Sequence, residues 1–294
     1  MDFDPKEAGA ATAERLVAYE PDAAGTVANG LQGIWVRAAP VRRPEPGEDY
    51  GPGEAGLDAT GVPVPVLRAV GKEIGRHARR RVADFVPLIE RLWAHYGREG
   101  RIVAAVALGS MELAEPDLIV PVIYELAQRC AYWEDCDQLA MKALEPVLRK
   151  DPDAWIDRIG AWVTNDNKWV RRAALTALGR LPMERPEYTA RVVPLLAPAL
   201  GDPDRDVKRA LSFALRVAAR GEAEPVKQFI RDRQGVTDAD SLWVLSDVAR
   251  SMTPSLRPEF AGLLPLYHRW LDTAEPAARR SVEAAVRVLE QATT

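Results

Sequence analysis

The stretch Asn167-Lys168-Trp169-Val170-Arg171-Arg172-Ala173-Ala174-Leu175-Thr176-Ala177-Leu178 returns 37 residues later as Asp204-Arg205-Asp206-Val207-Lys208-Arg209-Ala210-Leu211-Ser212-Phe213-Ala214-Leu215. A repeat with a period of roughly 20 to 50 residues constrains a chain severely. One copy is a single supersecondary unit that cannot bury its own apolar face, so neighbouring copies must stack on one another. Each copy opens with a charged turn and continues with apolar residues at helical spacing, which makes the repeated unit a pair of helices. From Val66 onward the chain is a succession of short amphipathic segments punctuated by Pro, Gly or Asp. The spacing predicts helices near 66–80, 83–96, 101–113, 117–131, 133–149, 153–164, 167–181, 186–200, 204–220, 223–233, 239–251, 256–271 and 275–291, with an earlier one over 13–31. The Pro- and Gly-dense stretch from Pro40 to Pro65 reads as an extended loop. No alternating apolar and polar pattern of the β kind occurs.

A helix pair with this period and this V-R/K-R-A-A/L opening is a HEAT-like repeat. The expected fold is therefore all-α: a right-handed α-solenoid with a concave basic face. The chain divides into an acidic, Pro- and Gly-rich extension over 1–60, a HEAT-like repeat core over 61–235 and C-terminal helical repeats or a cap over 236–294. In the helix beginning at 167, Val170, Ala174, Ala177, Leu178 and Leu181 form the core stripe. The opposite face carries Lys168, Arg172, Thr176 and Gly179, and one repeat later it carries Arg205, Arg209, Phe213 and Arg216. Cations among small residues suit the close approach of a phosphate backbone. A single charged helix face is usually just solvated, but this one recurs in phase across two repeats.

The chemistry-bearing stretch is Tyr132-Trp133-Glu134-Asp135-Cys136-Asp137. On a helix, Trp133 and Asp137 are neighbours one turn apart. With Trp133 as zero and about 100° per residue, the stripe Cys136, Ala140, Ala143, Leu144 and Val147 centres at about −35°. Gln138, Lys142 and Glu145 occupy the solvated side at roughly 120° to 180°. Asp137, at about 40°, borders the apolar stripe, where a carboxylate needs a partner, a shifted pKa or a chemical role. One further period of 37 toward the N-terminus places Trp133 on Val170 and Asp137 on Ala174. That phase would put an acid where the following repeats keep Ala174 and Leu211; a broken phase would turn Asp137 toward a cleft.

Charge narrows the partners. The formal net charge is −4, yet residues 1–60 hold 11 acids and 5 bases, whereas residues 61–235 hold 24 acids and 28 bases. A mildly basic centre between acidic ends permits a polyanionic partner. Arg68, Lys72, Arg76, Arg79 and Arg80 add a basic stripe at the N-terminal flank, either a phosphate contact or a solvated helix end. Cys130 and Cys136 suit a reducing compartment as small core residues. His77, His95 and His268 are isolated, so no metal site is expected. Trp93, Trp155, Trp162, Trp243 and Trp270 fall on apolar stripes and are expected in the core. No phosphate-loop, dinucleotide or G-x-S-x-G signature occurs, so no cofactor is expected. The acidic start (Met1-Asp2-Phe3-Asp4-Pro5) and the lack of a long apolar run predict a cytoplasmic protein, not bound to a membrane, and a monomer.

Four pieces in order resemble the AlkD-like family of bacterial DNA alkylation repair glycosylases built of HEAT-like repeats. Gly61-Val62-Pro63-Val64-Pro65-Val66-Leu67-Arg68 is similar to the family's G-V-P opening, and Tyr132 to Asp137 is similar to its W-W-D-x-V-D segment. Lys168 to Ala174 resembles its W-x-R-R-x-A segment, and Val207 to Arg216 resembles its later basic helix. The likeness spans roughly residues 55–235. It implies a cofactor-free enzyme that releases cationic N3- or N7-alkylated purines, bulky adducts among them, from double-stranded DNA without flipping the base. It also implies a site made of Trp133 and Asp137 as catalytic residues, with Arg172, Lys168, Phe213, Arg209, Arg216, Tyr132 and Arg68 as DNA contacts. Two positions depart from the family pattern: Tyr132 stands where many members have Trp, and Phe213 replaces a later Trp. A different class stays open alongside, a non-catalytic HEAT-like module that binds DNA or protein.

Overall fold

The computed structural model describes residues 4–39, 61–111 and 115–292. Among these residues there is no strand, and the elements are helices joined by short turns. The chain forms two compact units, Met1–Val147 and Leu148–Thr294.

In the first unit the helices are α1 (Pro5–Leu16), α2 (Ala24–Val36), α3 (Val64–Ala78), α4 (Val82–His95), α5 (Gly97–Met111), α6 (Pro116–Gln128) and α7 (Trp133–Leu139). A π-turn over Ala140–Leu144 joins α7 to α8 (Glu145–Lys150), in which the division between the units falls. Helices alternate between two layers: α1 packs on α3, α3 on α5 and α5 on α7, while α2 packs on α4 and α4 on α6. The second unit contains α9 (Pro152–Gly160), α10 (Lys168–Glu184), α11 (Thr189–Leu195), α12 (Arg205–Ala218), α13 (Ala223–Arg231), α14 (Ala239–Arg250), α15 (Arg257–Phe260), α16 (Leu264–Thr273) and α17 (Pro276–Gln291). The same alternation holds: α10, α12, α14 and α17 pack in succession, and α9, α11 and α13 form the other layer.

Helix caps carry the repeat. The Asn167 side chain accepts from Trp169 N at 2.9 Å and starts α10, and the Asp204 side chain accepts from Asp206 N at 2.8 Å and starts α12. These caps satisfy amide donors that a helix start leaves without partners. Three residues after each cap, Val170 and Val207 are fully buried, as are Leu178 and Leu215. A third copy follows, in which Asp238 accepts from Ser241 N at 2.8 Å and starts α14. Its cap comes 34 residues after Asp204 with little side-chain likeness, within the stretch expected to hold C-terminal helical repeats or a cap.

Glycine lets the stacked helices approach. A Cβ at Gly179 would overlap the Ala214 backbone, and one at Gly109 would overlap the Lys142 carbonyl. The second contact falls on the π-turn, where Glu145 N donates to the Ala140 carbonyl five residues back.

Several expectations are corrected. The single helix over 13–31 is two helices, because Pro21 opens a separate 3-10 turn between them. The loop to Pro65 ends earlier, since Pro65 lies in the first turn of α3, where its missing N–H is harmless; residues 40–60 of that stretch lie outside the described residues. The period of 37 does not extend back to α7. Trp133 is 42% exposed whereas Val170 is buried, and the cap of α7, Tyr132, precedes Asn167 by 35 residues. In cap register Asp137 therefore corresponds to Arg172, five residues into the repeat, and not to Ala174.

Candidate functional site

The start of α7 displays its chemistry because of what its neighbours bury. Cys136, Leu139, Ala140, Ala143 and Leu144 are fully buried and anchor the helix on α5. That leaves Trp133 at the rim, with the Tyr132 ring 5.4 Å away and tilted by 50°. Asp137 follows one turn later, half-buried and already partnered within the fold. The border position expected for this carboxylate is thus the one it has. The expected solvated side is less open than that, since Glu145 is buried and Gln138 and Lys142 are half-buried. Residues between the two site side chains are held by α5. Arg98 grips Glu134 through Nε at 2.8 Å and Nη2 at 2.7 Å, and Arg101 pairs with Asp135. Burial pushes the Asp135 carboxyl above the usual range, in spite of the Arg101 guanidinium that draws it down.

On α10 and α12 of the second unit the expected basic face is partly consumed by the fold. Arg172 is only 7% exposed and donates from Nη1 to the Asp206 carbonyl at 2.7 Å. Thr176 and Gly179 are buried too, Gly179 against α12, so this stripe of α10 is a contact between repeats and not an open surface. Lys168 sits between the Asp204 and Asp206 carboxylates at 3.2 and 3.0 Å. Burial alone would lower its pKa, and the hydrogen bonds and charges of those two aspartates raise it instead. Arg209 is exposed and forms no ion pair among the described residues, and the same holds for Arg205 one turn earlier. Phe213 is half-exposed. Arg216 is half-buried, donates to the Ser251 carbonyl at 3.3 Å and is pushed down by burial. Arg68, Lys72 and Arg76 on α3 and Arg79 and Arg80 just after it are all exposed; of these, Arg76 is paired with Glu73 and Arg79 donates to the Ser110 carbonyl.

The remaining singled-out residues divide the same way. Trp93, Trp155 and Trp270 are core as expected, but Trp162 and Trp243 are half-exposed, and the Lys208 ammonium lies 5.8 Å from the Trp243 ring centroid. Both cysteines are buried, and neither forms a disulfide. Among the described residues no three His, Cys, Asp or Glu side chains come together as a metal-binding group. No described helix is long and apolar enough to cross a membrane. Arg98 and Arg101 were not foreseen. A faint signal existed: cations and acids about one repeat apart recur as pairs, with Arg98 and Glu134 separated by 36 residues, Arg101 and Asp135 by 34, and Lys168 and Asp206 by 38.

Among the described residues these features define an all-helical repeat protein that carries an exposed indole, a border carboxylate and exposed arginines. The family model for DNA alkylation repair enzymes matches residues 44–275, and the chain belongs to this AlkD-like family. It is accordingly an enzyme family member whose work lies in the repair of alkylated DNA. The match continues past residue 235, where the likeness noted in the sequence ends, and takes in α14 to α16. No curated protein matches the chain.

Family membership and geometry lead to a first prediction about DNA affinity. Arg209→Ala should lower the slope of log K against log salt by about one ion contact without changing the melting temperature. Lys168→Ala should leave the slope unchanged, because that ammonium is already neutralised by two carboxylates. Salt titrations by fluorescence anisotropy compare the two variants directly. Equal slopes for Arg209→Ala and wild type would remove Arg209 from the interface.

Proposed function

We propose that the protein is a DNA glycosylase that hydrolyses the N-glycosidic bond of cationic N3- and N7-alkylated purines in duplex DNA, without base flipping. The observation that carries this reading is the pairing of an exposed indole, Trp133, with a border carboxylate, Asp137, one turn along the same helix in a DNA alkylation repair family. An alkylated purine of this kind is a cation, and an indole face attracts a cation by about 0.5 to 2 kcal/mol depending on desolvation. Because Trp133 stands at a rim, it suits recognition of a base left in the helix, where even a bulky adduct has room.

As the bond from C1′ to the purine nitrogen breaks, its electron pair goes to the purine and cancels the positive charge there. Positive charge grows on the sugar, which the Asp137 carboxylate stabilises. The carboxylate also orients the water that attacks C1′ and takes its proton, leaving free base and an abasic site. In this reading Tyr132 widens the aromatic surface beside Trp133, while Arg209, Phe213, Arg216 and Arg68 contact the duplex. Arg172 and Lys168 contribute through the repeat contacts that shape α10 and α12. The test is direct: duplex DNA bearing N7-methylguanine is incubated with the protein and assayed for free base by chromatography. Binding without release would replace this reading by that of a non-catalytic DNA-binding module.

A further inference from the structure

Two buried ion pairs lie directly beneath the start of α7. Arg98, Glu134, Arg101 and Asp135 have side chains that are 10%, 17%, 14% and 3% exposed. All four belong to the first unit. The platform that carries the arginines is itself fixed. Gly97 takes a positive φ of 57°, which lets the chain turn from α4 into α5 within two residues. A Cβ at Gly100 would overlap the Leu92 carbonyl, so the first turn of α5 is pressed onto α4. Arg101 Nε also reaches the Trp93 carbonyl at 3.4 Å, and its guanidinium lies 5.5 Å from the centroid of the Trp93 ring.

Stability does not explain why charges are kept here. Replacing buried ion pairs by apolar groups of similar volume is often neutral or stabilising, because desolvation consumes the Coulombic gain. Asp135 illustrates the cost. Its pKa is raised by burial, so stability is lost as pH rises through the ordinary carboxylate range toward that raised value, the reverse of the usual paired aspartate. What an arginine fork supplies that an apolar contact cannot is direction, since two parallel hydrogen bonds fix both distance and rotation of the carboxylate. The clamped acids, Glu134 and Asp135, lie between Trp133 and Asp137 in the chain.

We propose that Arg98 and Arg101 are positioning residues for base excision: by clamping Glu134 and Asp135 they set the rotation and depth of the first turn of α7, and hence where Trp133 and Asp137 meet the lesion. This rests on the glycosylase reading above. Displacement of a reacting group by about 1 Å costs on the order of a hundredfold in rate, so a loose first turn is a catalytic defect before it is a folding defect.

The experiment uses the full chain with Arg98→Glu, Glu134→Arg, the double exchange, and Arg98→Lys, which keeps the charge but gives up the fork. Single-turnover release of N7-methylguanine at saturating enzyme is measured beside the Kd for the same duplex. Hydrogen exchange of the peptide spanning 131–139 reports the order of α7 separately. The single reversals should be slower by about tenfold or more with Kd changed by less than about twofold, and the double exchange should recover most of the rate. Arg98→Lys should fold normally and fall between wild type and the reversals. Faster exchange in 131–139 should accompany each loss. Single variants that release base at the wild-type rate, or a loss that the double exchange fails to recover while 131–139 regains its protection, would overturn the clamp. A wild-type protein that releases no base would instead overturn the glycosylase reading, and the clamp as a catalytic device with it.

Discussion

Asp137→Asn is expected to slow base release by about a hundredfold or more, the scale seen when one preorganised charge is withdrawn from a developing transition-state charge. The substitution keeps the shape of a half-buried side chain and removes only its charge, so fold and DNA affinity should change little. Because Asp137 is already partnered in the fold, the amide must take over part of that contact, and the melting temperature is the control for it. The decisive measurement is the single-turnover rate at saturating enzyme. A variant that keeps more than about a tenth of the wild-type rate, a barrier change below roughly 1.4 kcal/mol, would show that Asp137 is not the group that stabilises the sugar.

Trp133→Ala carries the second large effect, and the structure sharpens what it means. A buried tryptophan truncated to alanine leaves a cavity at a cost of about 3 to 5 kcal/mol, which is the expectation for Trp93 or Trp270. Trp133 is 42% exposed, so its removal should move the melting temperature far less. Release of cationic alkylpurines should nevertheless fall by about two- to thirtyfold, the range that a cation–π contact spans when converted to a rate. Release of neutral leaving bases should fall much less, since they owe little to the π face. Trp133→Phe should lie between, because the quadrupole weakens from indole to phenyl. Equal losses for cationic and neutral substrates, together with a large drop in melting temperature, would make Trp133 a packing residue and end the cation-recognition idea.

The arginine clamp and the salt-slope comparison probe different layers of the same molecule. Arg209 is exposed and has no ion pair among the described residues, so its loss should be felt in affinity. Arg98 is buried against Glu134, so its loss should be felt in rate. Confusing the two kinds of arginine is easy from sequence, where both are cations on amphipathic helices.

Local rules made much of this protein legible in its sequence. Helical periodicity, Pro and Gly punctuation and the recurring cap of Asn167 and Asp204 act within a turn or two of chain, so the helices, the repeat of α10 and α12, and the border position of Asp137 followed from residues close in sequence. What they did not determine was which polar side chains remain available. Lys168 and Arg172 read as surface cations until stacking brings Asp204 and Asp206 from the next helix to meet them. Whether Trp133 matched Val170 stayed open in the sequence, and the cap of α7, 35 residues before that of α10 and not 37, answers that it does not. Arg98 and Arg101 acquired significance only when α5 was laid against the first turn of α7. Charge is neutralised and surface covered by partners some 31 to 38 residues away, and a shift of two residues between repeats decides which partner arrives. Periodicity specifies that helices stack; only the stacked structure specifies the register, and the register decides which charges are left for DNA.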